Sequence, residues 1–208
     1  MKLRLPPVYP ITDKLLARKT SHLAILKELA RGGASFVQIR DKQTPLPELL
    51  PDLDRCVEFA AAHGIALIVN DRCDLALICG ADGVHLGQDD LPPDAARSVL
   101  GRRKIIGFST HSGAQLRRAS GLAADYLAFG PVFPTSTKRN ASAVVGLRAL
   151  ARVCRDSSRP VVAIGGITLD RVRPALEAGA AAVAVISDLM CAPGIARRME
   201  MFLRAARG

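Results

Sequence analysis

Short apolar runs recur along the whole chain, and most of them lack the apolar–polar alternation of a half-buried strand. Each run has the length of a β-strand and is rich in β-branched or small apolar residues. Such runs are typical of a parallel sheet whose two faces are both buried. The runs are VYPIT (8–12), GGASFVQIR (32–40), GIALIVND (64–71), GADGVHLG (80–87), KIIGFS (104–109), AADYLAFG (123–130), PVVAIGG (160–166) and AGAAAVAVIS (178–187).

Stretches that combine a polar and an apolar face separate these runs and predict helices, most clearly over 20–32, 47–64, 112–121 and 169–179. Glycine stands where each of these helices should end, at Gly32, Gly64, Gly121 and Gly179. Candidate N-caps are Thr20 or Ser21, Ser112, and Thr168 or Asp170. Pro51 lies inside the second stretch and predicts a kink or break there.

Eight strand-then-helix units follow one another with no linker or low-complexity insert. We therefore predict an α/β protein, a single-domain (β/α)8 TIM barrel over residues 1–208. An open doubly wound sheet is the alternative. The barrel is favoured because a short stretch of small residues precedes every second apolar run, and because eight units close a barrel.

Composition narrows the cellular compartments in which the protein is expected. No segment approaches the roughly 18 uninterrupted apolar residues of a membrane span, and the N-terminal residues do not resemble a signal peptide. The five cysteines form no C-x-x-C pair, so we expect neither disulfides nor a zinc site, and we expect a cytoplasmic protein.

The net charge of +10 is compatible with nucleic acid, with anionic small substrates or with an arginine-rich surface. The sequence has no Trp, two Tyr and six Phe, which leaves few platforms for stacking bases. The basic C-terminal segment lacks interleaved aromatic residues and is interpreted as a solvated helix face; its arginines are Arg197, Arg198, Arg204 and Arg207. We therefore expect no nucleic-acid partner.

Polar residues follow nearly every predicted strand. In a (β/α)8 barrel the C-terminal ends of the strands form one rim, and the active site lies there. The rim residues are 38–42, Asn70, Asp71, His85, 87–90, Ser109, Thr110, His111, 134–138, Gly165, Gly166 and Ser187. Their concentration predicts the active site at this rim.

Two parts of the rim are candidate anion sites. Gly165 and Gly166, with Ser187 one strand later, stand where barrels often bind phosphate, because glycine lets backbone N–H groups approach the anion. The alternative is a tight turn. Arg40 and Lys42 are alternate residues and can direct two cations toward one ligand.

Between these two cations, Asp41 is expected to face away from the ligand. The alternative for the cations themselves is a structural ion pair with Asp71 or another rim carboxylate. Asp71 and Asp90 come from adjacent strand ends and are oxygen ligands of the kind that Mg²⁺ prefers, which predicts a magnesium site bridging to a diphosphate. A helix N-cap is the alternative for Asp89 and Asp90, since Leu-Pro-Pro follows them and starts a helix.

The loop that follows the sixth run is rich in hydroxyl groups and ends in an ammonium, in the order Thr135, Ser136, Thr137 and Lys138. This loop is a further candidate for holding a second anion, or for acting as a lid, and a solvated turn would have a similar composition. His85 lies within an apolar strand and is expected to be a satisfied core residue. His111 is the better candidate for proton transfer.

Taken in order, these segments resemble the thiamine-phosphate synthase family, from Tyr9 to about Ser187. The Q-x-R-x-K, N-D, G-Q-x-D and P-T-x-T-K strings are specific in combination. The segments are QIRDK (38–42), VNDRCDLA (69–76), GADGVHLGQDDLP (80–92), IIGFSTHS (105–112), DYLAFGPVFPTSTK (125–138), VVAIGGIT (161–168) and AGAAAVAVIS (178–187).

The resemblance implies a transferase that condenses 4-amino-5-hydroxymethyl-2-methylpyrimidine diphosphate with 4-methyl-5-hydroxyethylthiazole phosphate, giving thiamine phosphate and pyrophosphate. It implies that Ser109, Lys42 and Lys138 are catalytic and that Asp71 and Asp90 hold Mg²⁺. The substrate-binding residues that it implies are Gln38, Arg40, Lys42, Asn70, Ser109, Thr135, Ser136, Thr137, Lys138, Gly166, Ile186 and Ser187.

Two other functions remain open on the sequence. A thiazole tautomerase-like relative would use His111 in acid–base chemistry and would need no diphosphate site. A non-catalytic protein that binds a phosphorylated ligand would need only the anion sites. The expected partners are phosphorylated small molecules, with no membrane, and a homodimer is left open.

Overall fold

The computed structural model describes residues 3–135 and 143–208. Parallel strands alternate with helices throughout these residues. The strands are β1 (Val8–Pro10), β2 (Phe36–Ile39), β3 (Ala66–Asn70), β4 (Gly83–Leu86), β5 (Ile105–Thr110), β6 (Tyr126–Phe129), β7 (Val161–Ile164) and β8 (Ala182–Val185). Each lies inside one of the eight apolar runs, allowing one residue at the end of β5, so the strand predictions are confirmed.

The described helices fill the intervals between the strands. They are α1 (Lys14–Ala17), α2 (His22–Arg31), α3 (Leu46–Ala62), α4 (Cys73–Ile78), α5 (Pro93–Leu100), α6 (Gly113–Ala119), α7 (Gly146–Asp156), α8 (Val172–Glu177), α9 (Ser187–Met190) and α10 (Ile195–Arg207). A 3₁₀ turn over Leu169–Arg171 leads into α8. Pro51 does not break α3, which runs continuously over 17 residues.

The sheet closes on itself. Strands β2 to β8 pair in parallel in chain order, and β8 pairs with β1. Between β1 and β2, Ile11 forms a parallel bridge with Gln38, and the Thr12 N–H donates to the Gln38 carbonyl over 2.8 Å. Thr12 Oγ1 also accepts the Arg40 N–H at 3.2 Å. The predicted (β/α)8 barrel is confirmed.

Both faces of the strands are buried, which explains why the runs do not alternate. One face packs against the helices in the larger core, where residues such as Val37 and Leu67 meet Ile25 and Leu53. The other face fills the barrel interior, where the Tyr9, Phe36 and Tyr126 rings pack edge to face. Small interior residues make room for these rings, namely Ala128, Ala182 and Ala184.

Helix ends follow the predicted capping chemistry in most places. Ser21 and Ser112 accept backbone N–H groups at the starts of α2 and α6. Gly64 and Gly179 adopt φ of +64° and +98° just after α3 and α8, the left-handed conformation that favours glycine. Thr168 differs from its prediction, because its hydroxyl donates to Asp170 and caps no backbone N–H.

Gly32 is required for a different reason than the predicted cap. The left-handed residue after α2 is Gly33, with φ of +87°. A Cβ atom at Gly32 would lie 2.5 Å from the Ala196 carbonyl oxygen and 2.6 Å from Met199 Cβ. Gly32 therefore lets α10 pack directly against the end of α2, joining the two termini of the barrel.

The C-terminal helix α10 buries one face and exposes its arginines. Ile195, Met199 and Phe202 are buried, whereas Arg197, Arg204 and Arg207 are exposed. Arg198 is half-buried and pairs with Asp188. Three of the four arginines therefore lie on a solvent-exposed helix face, and Arg198 does not. Among the described helices, none has both the length and the apolarity to cross a membrane.

We predict that Gly32→Ala lowers the free energy of unfolding by about 1–3 kcal/mol, because the added methyl overpacks the contact with α10. Gly121→Ala is the matched control: Gly121 lies outside the left-handed region, and its Cβ would approach nothing closer than the Arg118 carbonyl oxygen at 4.0 Å. The control should be neutral or slightly stabilising. Urea denaturation of both variants measures the difference, and equal stability would refute the packing role.

Candidate active site

One cavity of about 440 Å³ opens at the C-terminal ends of the strands, where the sequence predicts the site. It receives residues that follow β2 to β8, so distant parts of the chain meet there. Its lining consists of Arg40, Lys42, Asp71, Gly87, Gln88, Asp89, Asp90, Ser109, His111, Gln115, Gly130, Pro131, Thr135, Ile164, Gly165, Gly166, Ile167, Ala184, Ile186 and Ser187.

Asp71 is held in an unusual backbone conformation beside a cation. Its φ is +63°, in the left-handed region that non-glycine residues seldom occupy, and its N–H donates to the His85 carbonyl over 2.8 Å. The carboxylate accepts from Lys42 Nζ at 2.9 Å, and about half of the Lys42 side chain is exposed. Strained backbone of this kind is concentrated at functional sites.

Asp90 lies close to Asp71 and completes an acidic pair. Its carboxylate accepts the Gly87 N–H over 2.7 Å. Burial raises the pKa of Asp90, the Gly87 N–H opposes that rise, and the adjacent Asp71 carboxyl raises the pKa further. Two carboxylates that repel each other in this way attract a cation between them.

The acidic pair fits Mg²⁺ by its chemistry, since both donors are carboxylate oxygens. Among residues 3–135 and 143–208, no group of three or more His, Cys, Asp or Glu side chains could hold a metal ion. Mg²⁺ usually takes one or two carboxylates from the protein and fills its other positions with water and substrate phosphate oxygens. A pair of carboxylates is therefore sufficient for a substrate-bridged magnesium ion.

Arg40 and Asp41 point to opposite sides of the strand end. Arg40 lines the cavity and pairs with Asp13 at 2.9 Å. Asp41 turns away, as predicted, to His22 at 3.0 Å and Lys14 at 3.1 Å. Burial alone would raise the pKa of Asp41, but the Thr44 and Gln43 N–H groups, the Thr44 hydroxyl and His22 hold it well below its usual range.

The predicted ion-pair alternative is also present, because both rim cations have carboxylate partners. Arg40 pairs with Asp13, and Lys42 pairs with Asp71. These contacts fix the positions of the cations at the rim without removing either one from the cavity lining. An anion that binds there would meet groups whose orientation is already set.

Glycines at the end of β7 permit two loops to touch. Gly165 and Gly166 have φ of +95° and +62°. A Cβ atom at Gly165 would lie 2.5 Å from Pro131 Cα, and one at Gly166 would overlap the Pro134 carbonyl oxygen. Arg171 supports the turn by donating to the Gly166 carbonyl over 2.7 Å. The turn after β7 is therefore pressed against the loop after β6.

The two rim histidines differ in environment. His85 is buried and bonds to Tyr126 and Ser109, each at 2.9 Å, which confirms that it is a satisfied core residue. His111 lines the cavity, and its Nδ1 donates to the Gly130 carbonyl over 2.8 Å. The His111 N–H donates to Gln115 Oε1 at 2.6 Å.

Most of the described residues predicted for the site line the cavity, and two do not. Gln38 is buried, and its side chain donates to Tyr9. Asn70 is half-buried at the end of β3, outside the lining. The residues that line the cavity as predicted are Arg40, Lys42, Asp71, Asp90, Ser109, Thr135, Gly166, Ile186 and Ser187. Ser136, Thr137 and Lys138 lie outside the described residues.

Sequence reasoning missed Gln115, which reaches the cavity from the first turn of α6. Its signal was available, because Gln115 stands three residues after the Ser112 N-cap, where a side chain can turn back toward the preceding strand. The network of Asp13, Lys14 and His22 behind Arg40 and Asp41 was also missed. Its members carry no local pattern that identifies them.

Comparison with known proteins identifies relatives that cover most of the chain. The profile of the TMP-TENI family, thiamine monophosphate synthase, matches residues 8–189. The thiamine-phosphate synthase of Koribacter versatilis is 44% identical over 195 residues, which are 92% of each chain. That of Methanospirillum hungatei is 43% identical over 195 residues, which are 94% of this chain and 95% of the relative.

A solved structure agrees with the sequence relatives. The thiamine phosphate pyrophosphorylase of Pyrococcus furiosus superimposes with a TM-score of 0.88 at 33% identity, covering 97% of this chain and 96% of that one. The profile match runs from β1 into α9 and therefore includes every strand that contributes to the cavity. The chain belongs to the thiamine monophosphate synthase family, as its motifs predict.

Proposed function

We propose that this protein is a Mg²⁺-assisted transferase that condenses 4-amino-5-hydroxymethyl-2-methylpyrimidine diphosphate with 4-methyl-5-hydroxyethylthiazole phosphate, releasing thiamine phosphate and pyrophosphate. The observation that carries the proposal is that one cavity has two chemically different ends. Charged side chains after β2 to β4 form the first end, and glycine-rich backbone after β7 and β8 forms the second. Each end suits one of the two phosphorylated substrates.

The first end is suited to the diphosphate. Lys42 and Arg40 supply positive charge, and Asp71 and Asp90 would hold Mg²⁺. When bound, the ion would neutralise charge on the diphosphate oxygens. Lys42 contacts Asp71 directly, so a single ammonium can orient the acidic pair and meet the anion beside it.

The second end is suited to the thiazole phosphate. Gly166, Ile186 and Ser187 line it, at the strands where barrels often bind a phosphate group. Gly165 and Gly166 adopt positive φ in this turn, a conformation that favours glycine, and their backbone N–H groups are candidate donors to the anion. The two substrates would then meet over Ser109, which lies at the end of β5 between the two ends.

The proposed reaction is a dissociative substitution. The bond between the pyrimidine methylene carbon and the diphosphate oxygen breaks, and the electron pair leaves with pyrophosphate. The aminopyrimidine ring stabilises the resulting cation, and the thiazole nitrogen donates its lone pair to form the new C–N bond. No proton is removed from the nucleophile, so the site needs charge stabilisation and positioning more than a strong base.

The tautomerase-like alternative rests on His111, which does line the cavity. Its Nδ1 proton is engaged by the Gly130 carbonyl, which leaves Nε2 as the acceptor. A tautomerase would act on one thiazole phosphate ligand and would release no pyrophosphate. The charged side chains after β2 to β4 would have no role in that reaction, so their presence favours the transferase. A non-catalytic binder of phosphorylated ligands would form no product at all.

We predict that Lys42→Ala and Asp71→Asn each lower turnover by about 10²- to 10³-fold, the typical cost of removing one preorganised charge-stabilising group. Product formation from both substrates at saturating Mg²⁺ measures the effect. Matched controls are Lys19→Ala and Asp74→Asn, which change an exposed lysine and an exposed aspartate outside the cavity. Near-wild-type turnover in both Lys42→Ala and Asp71→Asn would overturn the proposal.

We also predict that Asp90→Asn raises the Mg²⁺ concentration needed for half-maximal turnover, because the acidic pair loses one charged oxygen ligand. Metal titration of activity measures this shift, with Asp74→Asn again as the control. An unchanged titration curve would exclude Asp90 as a ligand. The Gly87 N–H that now binds the Asp90 carboxylate can still bond to the amide oxygen of asparagine, which limits structural disturbance.

A further inference from the structure

A line of polar side chains crosses the otherwise apolar barrel interior and ends at the cavity. Gln38 Nε2 donates to the Tyr9 oxygen over 2.8 Å, and the Tyr9 and Tyr126 hydroxyls are 2.8 Å apart. The Tyr126 hydroxyl lies 2.9 Å from His85 Nδ1. His85 Nε2 lies 2.9 Å from Ser109 Oγ. The line therefore connects β2, β1, β6, β4 and β5 in one path.

The direction of every bond in this path follows from its first member. An amide nitrogen can only donate, so the Tyr9 oxygen accepts from Gln38. Among the described residues, Tyr126 is then the remaining acceptor for the Tyr9 proton. The Tyr126 proton then goes to His85 Nδ1, which must be an acceptor. A neutral imidazole that accepts at Nδ1 carries its proton on Nε2. His85 therefore donates to Ser109 Oγ.

Burial keeps the two phenols in their donating form. Tyr9 and Tyr126 are almost completely inaccessible to solvent, and burial raises the pKa of both hydroxyls. In surroundings of low dielectric constant each hydrogen bond polarises the next, and reversing one bond would leave a buried donor without an acceptor. The path thus has one favoured direction.

A glycine in the middle of β5 shows that the barrel is built around this path. A Cβ atom at Gly107 would overlap Tyr126 Cζ and the Tyr126 oxygen, and it would lie 2.5 Å from His85 Nδ1. Glycine weakens a strand interior and often marks a close approach. Here the groups that approach the strand are the Tyr126 hydroxyl and His85 Nδ1, which are hydrogen-bonded to each other.

We propose that this path fixes His85 as the neutral tautomer protonated at Nε2 and thereby makes the Ser109 hydroxyl a hydrogen-bond donor into the cavity. Ser109 Oγ accepts from His85, and its own proton has no acceptor among the described residues. His85 and Tyr126 are positioning residues that act through Ser109. A donor at this place suits a ligand oxygen that carries negative charge.

The role in catalysis rests on the proposed function. As the methylene carbon–oxygen bond breaks, negative charge develops on the diphosphate oxygens. A Ser109 hydroxyl that is committed to donation would stabilise that charge, and its rotor would not need to reorganise at the moment of reaction. A Ser109 that accepted from the ligand side could not do so.

The tautomer can be read directly from the wild-type protein. In a ¹⁵N–¹H correlation spectrum of histidine-labelled protein, His85 should show a protonated Nε2 and an unprotonated Nδ1; its signals are assigned by their loss in His85→Asn. The same spectrum with a proton on Nδ1 would overturn the proposal. This test needs neither substrate nor turnover, so it decides the tautomer even if the proposed function fails.

Two variants of the interior cluster test the catalytic consequence. Tyr126→Phe removes the donor to His85 Nδ1, so both tautomers should appear and kcat should fall about tenfold or more, with KM little changed. Phe36→Leu alters the same interior cluster but removes no member of the hydrogen-bonded path. It should retain the wild-type tautomer and most of kcat. Equal losses of kcat in the two variants would overturn the proposal.

A double-mutant cycle separates action through Ser109 from general damage to the core. In a Ser109→Ala background, Tyr126→Phe should cause no further loss of kcat, because the hydroxyl through which it acts is gone. A full additional loss would assign Tyr126 a purely structural role. If Ser109→Ala protein is too slow for steady-state measurement while wild-type protein forms thiamine phosphate, the proposed function is supported. The cycle is then measured from single-turnover rates. Wild-type protein that forms none would refute the function alone.

Discussion

Closure of the sheet between β1 and β2 is the constraint on which the site depends. The bond from the Thr12 N–H to the Gln38 carbonyl and the bridge from Ile11 to Gln38 turn an open row of strands into a ring. Without closure, the cations after β2 would lie at one edge of a sheet, far from the glycine turns after β7. Because the ring is closed, both groups line one cavity of about 440 Å³.

The same closure divides the polar residues into three groups. Side chains beyond the C-terminal ends of the strands, such as Lys42 and Asp71, place charge at the cavity. Residues behind it, such as His22 and Asp41, form a buried network that anchors the strand end. Gln38 belongs to the interior, where it begins the hydrogen-bonded path toward Ser109. The positions of neighbouring residues along β2 thus determine whether they serve the ligand, the strand end or the core.

The sequence predicted the features that have local signals. Strand positions followed from apolar runs, and the opposite directions of Arg40 and Asp41 followed from the two-residue period of a strand. Gln38 illustrates what local signals omit: its motif assigned it to a ligand, but its side chain contacts Tyr9, 29 residues earlier in the chain. The Tyr126–His85 bond spans 41 residues, and only Gly107 inside its apolar run hinted that something approaches the strand there.

The most direct measurement is product formation by the purified wild-type protein with both substrates, first after removal of metal by EDTA and then with Mg²⁺ restored. We expect thiamine phosphate and pyrophosphate in equal amounts, negligible turnover without metal, and recovery when Mg²⁺ is added back, because Lys42 alone would not offset the charges of Asp71, Asp90 and the diphosphate together. Undiminished turnover without a divalent cation would contradict the magnesium site. Absence of thiamine phosphate under every condition would contradict the proposed reaction.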